Sequence, residues 1–398
     1  MFSKVKKYFY KKPTEIPNID QIFKPLYIVL SLFGLFPYSI RFNNKRGVTI
    51  IKNSIYINSL CAVSHILLLL SFLVLHVQYV YDCIGDTVMT RELLTQMNYI
   101  VELVIFIIFC LSAYICAFKN RLMFVKIINK IANNTDPTNV ERALKQFRNQ
   151  MNFTISFLIA VFLLQILVNF TRDDSFWKMI LVFITFTLPQ MIQFTILAFY
   201  HMLILMLLVL LKNIRVHITN LAKDKIIIMD YFLKTESKVI TLQNLESLYQ
   251  KAFEIKKDIN VAFQAPLLIT TLQCFHTIVS ESHIIYHGVV VERDFTLHPI
   301  INCSIWIIYQ ILKVQVMGRT GSLLKQEVLK IGQALHNIPT EKHDIRLLLE
   351  VQHFSSLILH QNDEITAFGL VTLDAALLSK IIASSAMYLT ILVQFDRK

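Results

Sequence analysis

Residues 54–81 read SIYINSLCAVSHILLLLSFLVLHVQYVY, 28 residues without a single Lys, Arg, Asp or Glu. A bilayer core of about 30 Å is crossed by about 20 residues of helix, so this stretch reads as a membrane span. Six further runs meet the same criterion, at 97–118, 150–170, 179–211, 261–283, 297–317 and 367–395. The whole chain agrees with them: its 398 residues are 55% hydrophobic and 17% charged, with a mean hydropathy of +0.54, whereas soluble domains carry about 25% charged residues. A chain this apolar has no means of covering its surface in water, which excludes a soluble enzyme. The expected fold is all-α, a polytopic membrane protein with seven transmembrane helices. An eighth apolar run, residues 22–40, is short, carries Lys24 and contains Gly34 and Pro37. Because proline removes a helical hydrogen bond, this run reads as an interfacial or re-entrant helix.

The formal charge of +12 matters for where it falls. Segments 1–53, 119–149, 212–260 and 313–364 hold ten, seven, nine and six Lys or Arg, 32 in all, while 82–96, 171–178 and 284–296 hold only four together. Cytoplasmic loops retain basic residues, so the N-terminus is expected inside and the C-terminus outside. That orientation is opposite to the one G-protein-coupled receptors adopt. The expected organisation is a cytoplasmic segment 1–53 containing the 22–40 helix, transmembrane helices 1–4 over 54–211, and a cytoplasmic helical extension over 212–260. Helices 5 and 6 follow over 261–317, then a cytoplasmic segment 318–366 with an amphipathic helix near Lys342 to Gln361, and a last helix over 367–395. No Pro or Gly falls between Pro189 and Pro266, so the fourth and fifth helices are expected to run on below the membrane.

Catalytic signatures are missing. The sequence has no HExxH, P-loop, GxGxxG or GxSxG motif, and its six cysteines form no CxxC pair. His276, His283 and His287 read as polar lining rather than metal ligands, and Asp173-Asp174 as a solvated external turn. No enzyme activity, cofactor, metal or nucleic-acid partner is expected. Only 8 glycines occur and no internal repeat is evident, which disfavours an alternating-access carrier.

Polar side chains are costly within a bilayer and face the protein interior or water. Tyr99, Glu102, Gln190, Gln193, Gln273, His276, Trp306 and Tyr309 fall at similar depth in the outer halves of their helices, joined by Gln165 and Thr277. They form either a pocket for a small organic ligand or a set of interhelical hydrogen bonds, and sequence alone leaves the two readings even. In the last span, Asp374 and Lys380 lie six residues apart, a spacing that does not pair along one helix face. Tyr388, Ile391 and Gln394 do share a face, which suits a pore constriction or ordinary helix packing.

The terminal run Met387-Tyr388-Leu389-Thr390-Ile391-Leu392-Val393-Gln394-Phe395 resembles the Thr-Tyr, five hydrophobics, Gln-Phe signature that ends the last helix of insect gustatory receptors. Phe368-Gly369-Leu370, Leu373-Asp374, Lys24-Pro25-Leu26 and Phe33-Gly34-Leu35-Phe36-Pro37 are also similar to that family. Met387 stands where threonine is usual. Leu389 stands where sugar receptors commonly carry an acid, which points away from that branch. The resemblance implies a tastant-gated, non-selective cation channel in the plasma membrane of chemosensory neurons, homotetrameric or heteromeric, for bitter or other non-sugar small molecules. It places Gln394, Phe395, Ile391 and Tyr388 at the pore and gate, and ligands in the outer halves of the second to sixth helices. An odorant receptor subunit and a metabotropic seven-helix receptor are the alternatives.

Overall fold

The structure is a computed structural model that describes residues 19–36, 38–43, 47–53, 55–84, 91–134, 141–170, 183–223, 231–292, 297–339 and 345–396. In chain order these residues form α1 (Ile19–Leu32), the strands β1 (Tyr38–Asn43) and β2 (Gly47–Asn53), α2 (Ile55–Ile84), α3 (Arg91–Lys119), α4 (Arg121–Asn134) and α5 (Glu141–Phe170). A π-helical turn, Phe183–Thr187, leads into α6 (Leu188–Lys223), and α7 (Tyr231–Tyr286) ends in a second, His287–Glu292. The chain closes with α8 (Leu297–His336), α9 (Ile345–His360), the strands β3 (Thr366–Ala367) and β4 (Val371–Thr372), and α10 (Leu377–Asp396). Helices α3, α5, α6, α7, α8 and α10 are long and apolar enough to cross a membrane. With the 30-residue α2, the apolar long helices number seven among the described residues.

α6 is the central element. In its most apolar stretch 94% of the residues are buried, against 12% in α5 and 17% in α10. A helix that is hydrophobic all round has to be enclosed on all sides, and α3, α7 and α8 supply that enclosure together with α1 and α5. Phe199 of α6 is an aromatic hub: Phe124, Phe263 and Phe23 lie 4.9, 5.7 and 6.0 Å from it, and Phe36 lies 6.4 Å away. Through Phe23 and Phe36 this hub seats α1 against the bundle. α1 has 14 residues, about 21 Å of helix, too short to cross the core. Leu35 N–H bonds back to the Leu30 carbonyl at 2.8 Å as the helix closes near Gly34, whose φ is +71°.

Several helices outrun the bilayer. At 1.5 Å per residue the 36, 56 and 40 residues of α6, α7 and α8 extend about 54, 84 and 60 Å. In the more polar stretches of these helices they pack on one another and on α9. Leu242, Leu245, Tyr249 and Ala252 of α7 are buried, with Tyr249 against Phe354 of α9 at 5.5 Å. Arg215 of α6 pairs with the buried Glu327 of α8 at 2.6 Å, and His353 of α9 meets Glu246 of α7 at 3.1 Å.

Three expectations are corrected. The interfacial helix expected near 22–40 ends at Leu32, and Tyr38 to Ile40 belong instead to the antiparallel β1–β2 hairpin. The last span begins at Leu377 rather than 367, because Thr366 to Thr372 form a small hairpin whose Phe368 and Gly369 adopt φ of +53° and +71°, a reversal that no helix tolerates. Consequently Asp374 lies outside the helix. Its carboxylate accepts the Ala376 N–H at 3.0 Å as an N-terminal cap and reaches Lys380 at 3.9 Å. The two charges expected to stand apart therefore pair, since helical spacing does not govern a residue in the preceding turn.

Candidate functional site

Several of the polar residues that the sequence reading placed in the outer half converge on one side chain that the same reading counted with the cytoplasmic segments. Lys313 of α8 is fully buried among α3, α6 and α7. Its Nζ donates to Gln193 Oε1 at 2.8 Å and to Gln273 Oε1 at 3.0 Å, and it stands 4.9 Å from the centre of the Tyr309 ring. An ammonium group has three protons to place, and two amide oxygens and one aromatic face receive them. Gln273 Nε2 then donates to Glu102 Oε1 at 3.2 Å and to Thr277 Oγ1 at 3.0 Å, while the Thr277 hydroxyl donates to the same Glu102 oxygen at 3.3 Å. Gln193 Nε2 donates to Thr270 Oγ1 at 3.3 Å. A carboxylate on α3 and an ammonium on α8 are thus bridged through Gln273 of α7. An unpaired charge here would cost several kcal/mol on the order of a buried ion's desolvation, and the chain supplies both signs together.

Of the expected ligand-site residues, Glu102, Gln193, Gln273 and Tyr309 are brought into this network. Gln190 is buried one helical turn from Gln193, with neither amide atom hydrogen-bonded among the described residues. The Tyr309 hydroxyl is buried without a partner in the same sense. So is Gln310 Nε2, although Gln310 Oε1 accepts from Cys274 Sγ at 3.4 Å. The Tyr99 ring lies 5.4 Å from that of Phe186. His276 is half-buried, with no partner at Nε2 among the described residues, and Trp306 is half-buried. The side chain of Gln165 and residues 173–174 lie outside the described residues.

Sequence reasoning missed Lys313, Thr270, Cys274 and Gln310. The signal for Lys313 was available: it stands sixteen residues into an unbroken helical pattern beginning at Leu297, one turn beyond Tyr309 and on the same face. A lysine near the end of a span reads instead as a snorkelling, positive-inside residue. Removing it from the count leaves the charge asymmetry along the chain intact.

At the other expected site, α10 packs only one face on the bundle, against α7 and α8. Tyr388 leans edge-on against Phe275 at 6.1 Å yet stays half-exposed. Met387, Ile391 and Gln394 are exposed, and the Phe395 side chain lies outside the described residues. The start of α10 is tightly seated, because a Cβ at Gly318 or Gly321 of α8 would run into the backbone oxygens of Asp374 and Leu373. Glycine here permits close approach of two backbones.

The fold is that of a seven-helix membrane protein with a buried polar network and a terminal helix that seats one face on the bundle and leaves the other exposed. Residues 23–398 match the family model of the 7tm chemosensory receptor, and the chain belongs to that family. Its fold is similar to that of the insect olfactory receptor OR5 from Machilis hrabei in complex with eugenol. The TM-score is 0.73 at 10% identity, over 98% of this chain and 100% of that one. A second structure of the same receptor aligns with a TM-score of 0.70 at 10% identity, over 94% and 97% of the two chains. No curated relative matches the sequence.

Proposed function

We propose that this chain is a gustatory receptor subunit, a non-selective cation channel opened by a bitter or other non-sugar small molecule at the plasma membrane of chemosensory neurons. The observation that carries the reading is the exposed face of α10, where Met387, Tyr388, Ile391 and Gln394 lie open at the end of the family's signature run. An amide and apolar side chains on an unpartnered helix suit a pore formed by several copies, with dewetting at the apolar positions as the barrier. Homotetrameric assembly or assembly with a related subunit completes that pore, with the N-terminus inside the cell as the basic residues favour.

The ligand site in this reading lies at the outer face of the Lys313 network. Gln190, the Tyr309 hydroxyl and Gln310 Nε2 offer hydrogen bonds that the described residues leave unmade, and such groups orient a small polar ligand in an otherwise apolar pocket. An odorant-receptor assignment is the second reading, favoured by the olfactory receptors among the similar solved folds. The structure of OR5 with eugenol adds a precedent for a small aromatic ligand in this fold.

The test is whole-cell recording from cells expressing the chain, challenged with a panel of bitter compounds and volatile odorants. The expected result is a cation current that persists when G-protein turnover is blocked by GDP-β-S in the pipette. A response abolished by GDP-β-S would overturn the channel reading, and a response restricted to volatile odorants would move the chain to the odorant branch.

A further inference from the structure

A half-open cavity of about 290 Å³ lies between α5, α6 and α8, lined by Gln150, Phe153, His201, Gln315, Arg319 and Leu323 among others. It is distinct from the Lys313 network, and neither the receptor nor the channel reading uses it. We propose that this cavity binds the phosphate headgroup of an anionic phospholipid from the leaflet bordering the helical extensions.

The chemistry of the lining selects the ligand. The cavity carries one guanidinium, one imidazole and two amides, and no carboxylate. Arg319 is exposed and makes no ion pair among the described residues, which is unusual for a group whose planar fork matches phosphate oxygens. His201 is only 6% exposed, and neither of its ring nitrogens has a hydrogen-bond partner among the described residues. A buried polar group left unpaired is costly, and the cavity it lines gives it somewhere to find a partner. On α6 the same face continues three turns on to Lys212, which donates to Gln146 of α5 at 3.2 Å.

Position selects the source. Gln150 and Arg319 fall at the edges of the apolar runs 150–170 and 297–317, the level at which headgroups sit. From His201, which lines the cavity, to Lys212 beyond it, this face of α6 spans about 16 Å of helix, about the depth of one leaflet. At its α5 wall, Phe153 and Phe157 are stacked at 6.0 Å and exposed, and Leu163, Leu164 and Leu167 continue the apolar surface of α5. A headgroup phosphate at Arg319 therefore leaves its acyl chains along a hydrocarbon-facing helix, whereas a free anion gains nothing from that surface. Basic pockets between transmembrane helices recognise lipid headgroups in this way.

The test uses the full chain purified in detergent, with dioleoylphosphatidylglycerol or dioleoylphosphatidylcholine added and lipid adducts read by native mass spectrometry. The expected result is preferential retention of the anionic lipid by about tenfold, the size of one charge-assisted hydrogen bond. Arg319→Gln abolishes the preference, Arg319→Lys keeps most of it, and His201→Leu reduces retention. If Arg319→Gln does not elute as a single species, Leu323→Trp makes the same test by filling the cavity. Equal retention of the two lipids, or a preference unchanged in Arg319→Gln, would overturn the proposal. So would displacement of the lipid by millimolar inorganic phosphate, which would assign the site to a free anion. Because the readout is binding, its failure is separable from failure of channel opening.

Discussion

The Lys313 network and the face of α10 are two ways of placing polar groups in a hydrocarbon setting. In the network, Glu102, Gln193, Gln273, Thr277 and Lys313 from four helices satisfy one another within a single chain. On α10, Tyr388 and Gln394 are left to whatever surrounds the subunit. The difference is between a network that is a property of the subunit and sets its shape and an exposed face that is left to its surroundings. In the proposed reading the first borders the ligand site and the second meets neighbouring copies around a pore.

The largest effect that would break this comparison is at Lys313. Lys313→Met strands Glu102 in the core and is expected to cost about 3–5 kcal/mol, seen as loss of the monodisperse peak in fluorescence-detected size exclusion. The double variant Lys313→Met, Glu102→Gln removes both charges and should recover much of the folded fraction. Recovery by the double variant identifies a charge pair, and its absence would identify Lys313 packing as the stabilising element. Next is the seat of α10. Gly321→Ala pushes a methyl group into the Leu373 carbonyl and is expected to cost about 1–3 kcal/mol, visible as a lower melting temperature. A neutral result would mean that the start of α10 is free to move away from α8.

Gln190 sharpens the comparison from beside the network. Its amide is buried and unpartnered among the described residues, so Gln190→Leu should leave the ligand-free receptor unchanged or more stable by about 1 kcal/mol, while raising the ligand concentration needed for half-maximal response. A destabilised Gln190→Leu receptor would show that the amide is satisfied by internal water. The smallest effect lies where α7 meets α9. Glu246 holds the His353 pKa above its ordinary 6.5 by a hydrogen bond and by its charge. A raised folded-state pKa gives a contribution fully present below pH 6.5 and lost as pH rises through the folded value. The melting-temperature advantage of wild type over His353→Gln should therefore be small, largest in mild acid, and absent at alkaline pH. His353 is well exposed, which keeps this pair weak.

The spans were legible in the sequence because each apolar run exceeded the bilayer thickness on its own. The prolonged α6 and α7 were legible from the absence of Pro and Gly between 189 and 266. What escaped were features that depend on where a helix starts. Residues 367–373 read as continuous with the last span because Phe368, Leu370 and Val371 are apolar in either setting, and the φ values at Phe368 and Gly369 are what separate a hairpin from a helix here. Asp374 and Lys380 were misread for the same reason. In the polar site, Glu102, Gln193 and Gln273 were found by depth alone. Lys313 was not, because a lysine at a span's end is ordinarily drawn to the headgroups and nothing in one dimension shows the glutamines that hold it inside.

The account turns on α10 facing an ion path. The most direct measurement is to replace Gln394 with Cys and record agonist-evoked currents before and after a charged thiol reagent. The expected result is a current that falls sharply and irreversibly in Gln394→Cys, with wild type unaffected. An agonist-evoked current that keeps its full size after modification of Cys at this position has been verified by mass would contradict the placement of α10 at the pore.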